Sequence, residues 1–140
     1  MNHKQRFFFW GALLFTVGLF TGLWSAATLT GTVVVKIPRL ALSAHLNALL
    51  GGLWLIAVGA TSDFLKYGPS QMKRLFLLTA IPCWANWAIT LVASFLGVNG
   101  LQYNADPVNN GIAASLQIAV VLPSLVGAIY WLRGMKSSSN

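Results

Sequence analysis

Four apolar stretches, at roughly residues 7–28, 40–60, 75–98 and 112–132, take up most of this 140-residue chain. Each is long enough to cross a membrane, because about 20 helical residues rising ~1.5 Å apiece span a hydrocarbon core of ~30 Å. A soluble domain of this length would bury its apolar side chains in one core beneath a polar shell. With 56% of residues hydrophobic and 8% charged, there is hardly a shell to build. The expected fold class is all-α, an integral membrane four-helix bundle formed as a single transmembrane domain over residues 1–140. Lys4 and Arg6 ahead of the first stretch look like the head of a signal peptide, but the apolar segment of a signal is only about 7 to 15 residues long. That stretch therefore reads as a retained helix. The connections at 30–39, 61–74 and 100–111 carry Gly, Pro and Asn, the residues of turns. The tail from Lys136 to Asn140 reads as a polar, disordered end.

The nine Lys and Arg residues orient the bundle. Four spans put both termini and the middle connection on one side, which then holds Lys4, Arg6, Lys66, Lys73, Arg74, Arg133 and Lys136 against Lys36 and Arg39 opposite. Positively charged flanks stay in the cytoplasm, so both termini are expected there. A net charge of +7 also suits a nucleic-acid binder. These charges sit at helix ends rather than on one basic face, so membrane lipid is an expected partner and nucleic acid is not.

Several chemistries fall by inventory. The only acids, Asp63 and Asp106, lie at helix ends or in connections, which leaves no carboxylate pair for glycoside hydrolysis and no acid deep enough to orient a histidine in a triad. No glycine-rich phosphate cradle occurs, and the single cysteine, Cys83, cannot build a cysteine metal cluster within one chain. Ion transport would be marked by an intramembrane charge, and the apolar stretches carry none.

The polar residues inside those stretches carry the remaining information, since each must find a partner in protein rather than in lipid. With Pro38 in the first turn of the second helix, His45 lies about 10 Å deeper by helical rise. Ala44, Ala48 and Gly52 form a small-residue ridge on that helix, a surface that admits a neighbouring helix or a flat ligand. Two readings of His45 stand side by side. It is either a packing histidine hydrogen-bonded across helices or an axial ligand of heme iron, which one imidazole can hold with the opposite face open.

On the third helix Thr79, Cys83, Asn86, Thr90 and Ser94 recur at helical spacing and share one face. Pro82 interrupts the helix and frees a carbonyl one turn earlier, for which this polar stripe is expected to supply partners. Trp84 and Trp87 flank Asn86, and aromatic faces beside an amide suit a small aromatic substrate or a macrocycle. The plainer alternative is interhelical hydrogen bonding with the tryptophans facing lipid. Gln117, Pro123 and Ser124 repeat the pattern on the fourth helix, and Gly18 and Gly22 make a GxxxG pair on the first, which ordinarily means packing alone.

The run from Pro38 to Leu46 leading to Gly51 and Gly52, preceded by Gly18 to Leu23 in the first helix, resembles hydroxylaminobenzene mutase. That small membrane enzyme rearranges an aryl hydroxylamine to an ortho-aminophenol in bacterial nitroarene breakdown. More distantly, Ala44, His45, Leu50, Gly51, Gly52, Trp84, Asn86 and the Asn-rich loop before the last helix resemble styrene oxide isomerase, a four-helix membrane enzyme that turns an aryl epoxide into an aldehyde. The similarity runs from the first helix to Trp131 and is specific around His45.

The resemblance implies a bacterial inner-membrane isomerase with heme b held between protomers of a homotrimer, His45 as the axial metal ligand and ferric iron as a Lewis acid. With heme at His45, Ala48, Gly52 and Trp84 are expected to meet the cofactor. Asn86 is expected to act catalytically on the polar end of a small aromatic substrate, and Trp87, Thr90 and Gln117 to line its pocket. Where styrene oxide isomerase has an aspartate two residues before the tryptophan and a tyrosine four after the asparagine, this chain has Pro82 and Thr90. That departure favours the hydroxylamine over the epoxide. A cytochrome b anchor would want a second axial ligand, and the only other histidine, His3, lies in the short tail before the first apolar stretch. A non-catalytic scaffold subunit would explain every helix but would need no heme, so the colour of the purified protein separates it from the enzyme.

Overall fold

A computed structural model describes residues 1–136; most of the tail read as disordered, residues 137–140, lies outside the described residues. Four helices run over His3–Leu29, Pro38–Ala60, Pro69–Leu96 and Pro107–Met135, each long and apolar enough to cross a membrane. A single 3-10 turn, Ser62–Phe64, lies between the second and third, and no strand occurs among the described residues. Every helix begins before its apolar stretch does, because caps and prolines rather than hydropathy set the starts. Asn2 Oδ1 accepts from the Gln5 amide at 2.8 Å while Gln5 Oε1 accepts from the Asn2 amide at 3.0 Å. Pro38, Pro69 and Pro107 open the other three helices, and Asp106 caps the last by accepting from the Val108 amide at 2.9 Å.

The first and second helices pack against each other more extensively than any other pair. A Cβ added at Gly52 would stand 2.7 Å from the Gly11 carbonyl oxygen and 2.8 Å from the Phe15 amide nitrogen, so only glycine allows this approach. Ala44 and Ala48 are fully buried, and Ala48 meets Gly18. The small ridge is therefore filled by the chain's own first helix. Ala48 and Gly52 have no face left for a flat cofactor, which corrects the expectation that they would line one. Large apolar side chains such as Leu19, Leu23, Leu46, Leu53, Phe95, Ile118 and Leu125 cover the outside instead, the arrangement of a protein whose solvent is lipid.

Pro82 does not break the third helix, which continues from Pro69 to Leu96. The Leu78 carbonyl that it strips of a donor faces the fourth helix rather than the polar stripe. A Cβ at Gly127 would lie 2.7 Å from that oxygen. Thr79, which was expected to help, donates to Leu75 and Phe76 carbonyls instead. The fourth helix answers its own proline differently. Pro123 cannot donate, and just before it Gln117–Val121 widens into a π turn in which the Leu122 amide reaches back to the Gln117 carbonyl.

The start of the first helix, the middle connection and the end of the fourth helix meet at one end of the bundle. Lys4 pairs with Asp63, Trp131 Nε1 donates to Thr61 Oγ1 at 3.0 Å, and the Lys66 amide donates to the Gly134 carbonyl at 3.2 Å. Tyr67 stacks on Tyr130 with ring centroids 4.7 Å apart and donates to its carbonyl at 2.6 Å. Desolvation, with a smaller push from Tyr130, holds the Tyr67 hydroxyl above its ordinary pKa against the opposing Arg133, so it stays a donor through neutral pH. At the other end Lys36 packs on Gly97, and Asn109 folds the last connection by accepting from the Gly100 amide at 2.9 Å and donating to the Gln102 carbonyl at 2.7 Å. Reporter fusions at the C-terminus and in the 100–106 connection are expected to report opposite sides of the membrane, cytoplasmic and external. The same side for both would contradict the four-span arrangement.

Candidate functional site

His45 sits in a seat made by the GxxxG pair. Its Nδ1 lies 2.7 Å from the Gly18 carbonyl oxygen, and a Cβ at Gly22 would touch the ring at 3.0 Å from Cε1 and 3.1 Å from Nδ1. A carbonyl only accepts, so Nδ1 carries a proton, and in the neutral imidazole the lone pair then falls on Nε2. Nε2 has no hydrogen-bond partner among the described residues, and the side chain is half-buried. An imidazole whose far nitrogen is pinned by a carbonyl is oriented as a metal ligand. Among the described residues no three His, Cys, Asp or Glu side chains converge on a metal. A porphyrin brings four nitrogens of its own and asks the protein for one axial ligand, so the donor set here fits heme.

Asn86 lies on a different face of the bundle. It lines a cavity of about 180 Å³ between the second, third and fourth helices, together with Asn47, Gly51, Trp54, Cys83 and Ser124. Val120, from the π turn of the fourth helix, is part of the same wall. Asn47 Nδ2 donates to Asn86 Oδ1 and to Thr90 Oγ1, both at 3.1 Å, so Thr90 reaches the site through Asn47. His45 is not in this wall. Two residues apart on one helix, His45 and Asn47 point about 200° apart: one towards the first helix, the other towards the third.

The flanking tryptophans turn away from Asn86 as well. Trp87 Nε1 donates to Thr21 Oγ1 of the first helix at 3.0 Å, and Trp84 packs edge-to-face between Trp10 and Trp87 at centroid distances of 5.8 Å and 5.7 Å. Trp84 Nε1 is the one buried side-chain polar atom without a partner among the described residues. Gln117 is exposed and accepts from the Tyr103 hydroxyl at 3.3 Å. Neither tryptophan nor Gln117 lines the Asn86 cavity, and its aromatic wall comes from Trp54 instead. Asn47 and Trp54 went unremarked in the sequence. An amide two positions from His45 within an apolar run was the signal for Asn47.

A four-helix membrane protein with one oriented imidazole and an amide-lined cavity of single-ring size belongs with small membrane enzymes rather than with transporters or anchors. The chain is a member of the styrene oxide isomerase family, whose model matches residues 3–136. Over 135 residues it is 30% identical to hydroxylaminobenzene mutase HabB of Ectopseudomonas oleovorans, an alignment that covers 91% of this chain and 78% of the relative. Both names are those of isomerising enzymes, and the chain is an isomerase of the membrane. No solved structure matches it.

Proposed function

We propose that this protein is a mutase that rearranges an aryl hydroxylamine, hydroxylaminobenzene in the simplest case, to the ortho-aminophenol, with heme b on His45. The observation that carries the reading is the state of the imidazole, with Nδ1 held by the Gly18 carbonyl at 2.7 Å and Nε2 unpartnered. Identity of 30% to a hydroxylaminobenzene mutase supports the choice of substrate. Heme iron at Nε2 would supply a Lewis acid that weakens the N–O bond.

The chain's own residues hold and shield the substrate. Leu50, Trp54 and Val120 offer apolar wall to the ring and keep bulk water from competing. Asn86 offers its amide to the polar end, where charge develops as the N–O bond opens. Product and substrate are isomers. The N–O bond breaks, a C–O bond forms at the ortho carbon, the ring loses a proton there and the nitrogen gains one, so no reductant is consumed.

His45 and the Asn86 cavity face opposite sides of the second helix, so one chain does not bring them to a common substrate. A homotrimer in which His45 of one protomer approached the cavity of the next would unite them, with His45 as the residue that would hold the heme. Native mass measurement in nanodiscs is expected to give a trimer, and fully active monomer would remove this arrangement. Purified protein under argon, with hydroxylaminobenzene and no added cofactor, is expected to yield 2-aminophenol. The family match favours one second reading, rearrangement of an aryl epoxide to an aldehyde. Conversion of styrene oxide to phenylacetaldehyde with the hydroxylamine untouched would transfer the assignment to it, and conversion of neither would overturn both.

A further inference from the structure

The contacts among Asn47, Asn86 and Thr90 consume some polar ends and leave others over. Asn47 Nδ2 donates to Asn86 Oδ1 and Thr90 Oγ1, and Thr90 Oγ1 itself comes within 3.5 Å of Asn86 Oδ1. Turning one amide over alone would set acceptor against acceptor or donor against donor, so the network locks the two amides to each other, here with Asn47 as the donor and Asn86 as the acceptor. What remains is a donor, Asn86 Nδ2, and an acceptor, Asn47 Oδ1. Neither has a partner among the described residues, and both side chains are half-buried in the cavity wall. Lipid offers no partner for such groups. The space before them, about 180 Å³, is close to the ~150 Å³ that accepts one benzene ring.

We infer that Asn47 determines specificity by completing, with Asn86, a site for one aromatic ring whose substituent both accepts and donates a hydrogen bond. Asn86 Nδ2 donates to the substrate oxygen while Asn47 Oδ1 accepts from the substrate N–H or O–H. An aryl hydroxylamine satisfies both groups. An aryl epoxide only accepts, and it leaves Asn47 Oδ1 desolvated and unpaired, a loss on the order of tenfold to a hundredfold in affinity. The inference rests on the cavity being the substrate pocket of the proposed reaction, and it does not require the heme.

The test uses two carbon isosteres without a nitrogen to ligate iron: benzyl alcohol, which donates and accepts, and benzaldehyde, which only accepts. Equilibrium binding to the full-length protein in nanodiscs is expected to favour the alcohol by on the order of tenfold or more. Asn47→Leu is expected to erase that preference, and Asn47→Ser, a milder change for the helix contact, to reduce it in the same direction. In turnover, Asn47→Leu is expected to raise KM for hydroxylaminobenzene on the order of tenfold with a smaller change in kcat. Equal affinity of the wild type for the two probes, or a preference that survives both substitutions, overturns the inference. A wild type that rearranges no hydroxylamine but prefers the alcohol through Asn47 would sink the proposed reaction and leave the recognition standing.

Discussion

A His45→Ala protein is expected to insert and fold normally, to purify colourless and to turn over no substrate. Alanine is the best helix former and removes no apolar length from the span. The substitution leaves unpaired only the Gly18 carbonyl, which already belongs to a helix. All loss should therefore fall on the cofactor. The absorbance spectrum with and without reductant, beside the 2-aminophenol assay, decides the matter. A variant that kept both its heme band and its turnover would sink the ligand assignment, and a colourless but active wild type would sink the heme mechanism.

A comparably large loss is expected at Gly22, with His45 still present. The imidazole already stands 3.0 Å from where a Cβ at Gly22 would be. Alanine there asks the ring to give by a few tenths of an ångström, whereas the three further carbons of leucine occupy the ring's own place. Gly22→Leu should push His45 off the Gly18 carbonyl and reduce heme content on the order of tenfold or more, since misorienting a metal ligand through its outer partner costs about 10- to 100-fold in affinity. Gly111→Leu is the matched control, because no atom lies within 4 Å of a Cβ built there. Heme per protein, read from the pyridine hemochrome, and helix content, read by circular dichroism, separate ligand displacement from unfolding. Undiminished heme in Gly22→Leu would mean that the ring is held elsewhere.

Length and hydropathy made the four spans legible, and an even number of spans anticipated that the start of the first helix, the middle connection and the end of the fourth would share one end. The depth of His45 followed from Pro38 and helical rise. What the sequence did not disclose is which neighbour each face meets. Spacing of three and four puts residues on one side of their own helix, but the partner of that side is fixed only by packing. The ridge at Ala44, Ala48 and Gly52 was correctly small, yet it serves the first helix. Trp87 was expected beside the substrate or facing lipid, whereas its Nε1 donates to Thr21, a threonine in an apolar run that gave no sign of its role. The Gly18 and Gly22 pair was read as packing alone, because no pattern on one helix shows that the space it opens will hold an imidazole from another. The π turn at Gln117–Val121 had one visible cause in Pro123, and only the fold reveals that it forms part of a cavity wall.

The encounter between the Leu78 carbonyl and Gly127 couples positions 82 and 127 across two helices. While proline stands at 82, the Leu78 oxygen has no donor within its own helix and leans on a neighbour that must lack a Cβ. A residue with an amide proton at 82 would draw that oxygen back along its own axis and release the glycine. A methyl group at position 127 is therefore expected to cost more while proline stands at 82 than after a residue with an amide proton replaces it, because with the proline in place the methyl presses on a backbone oxygen 2.7 Å away.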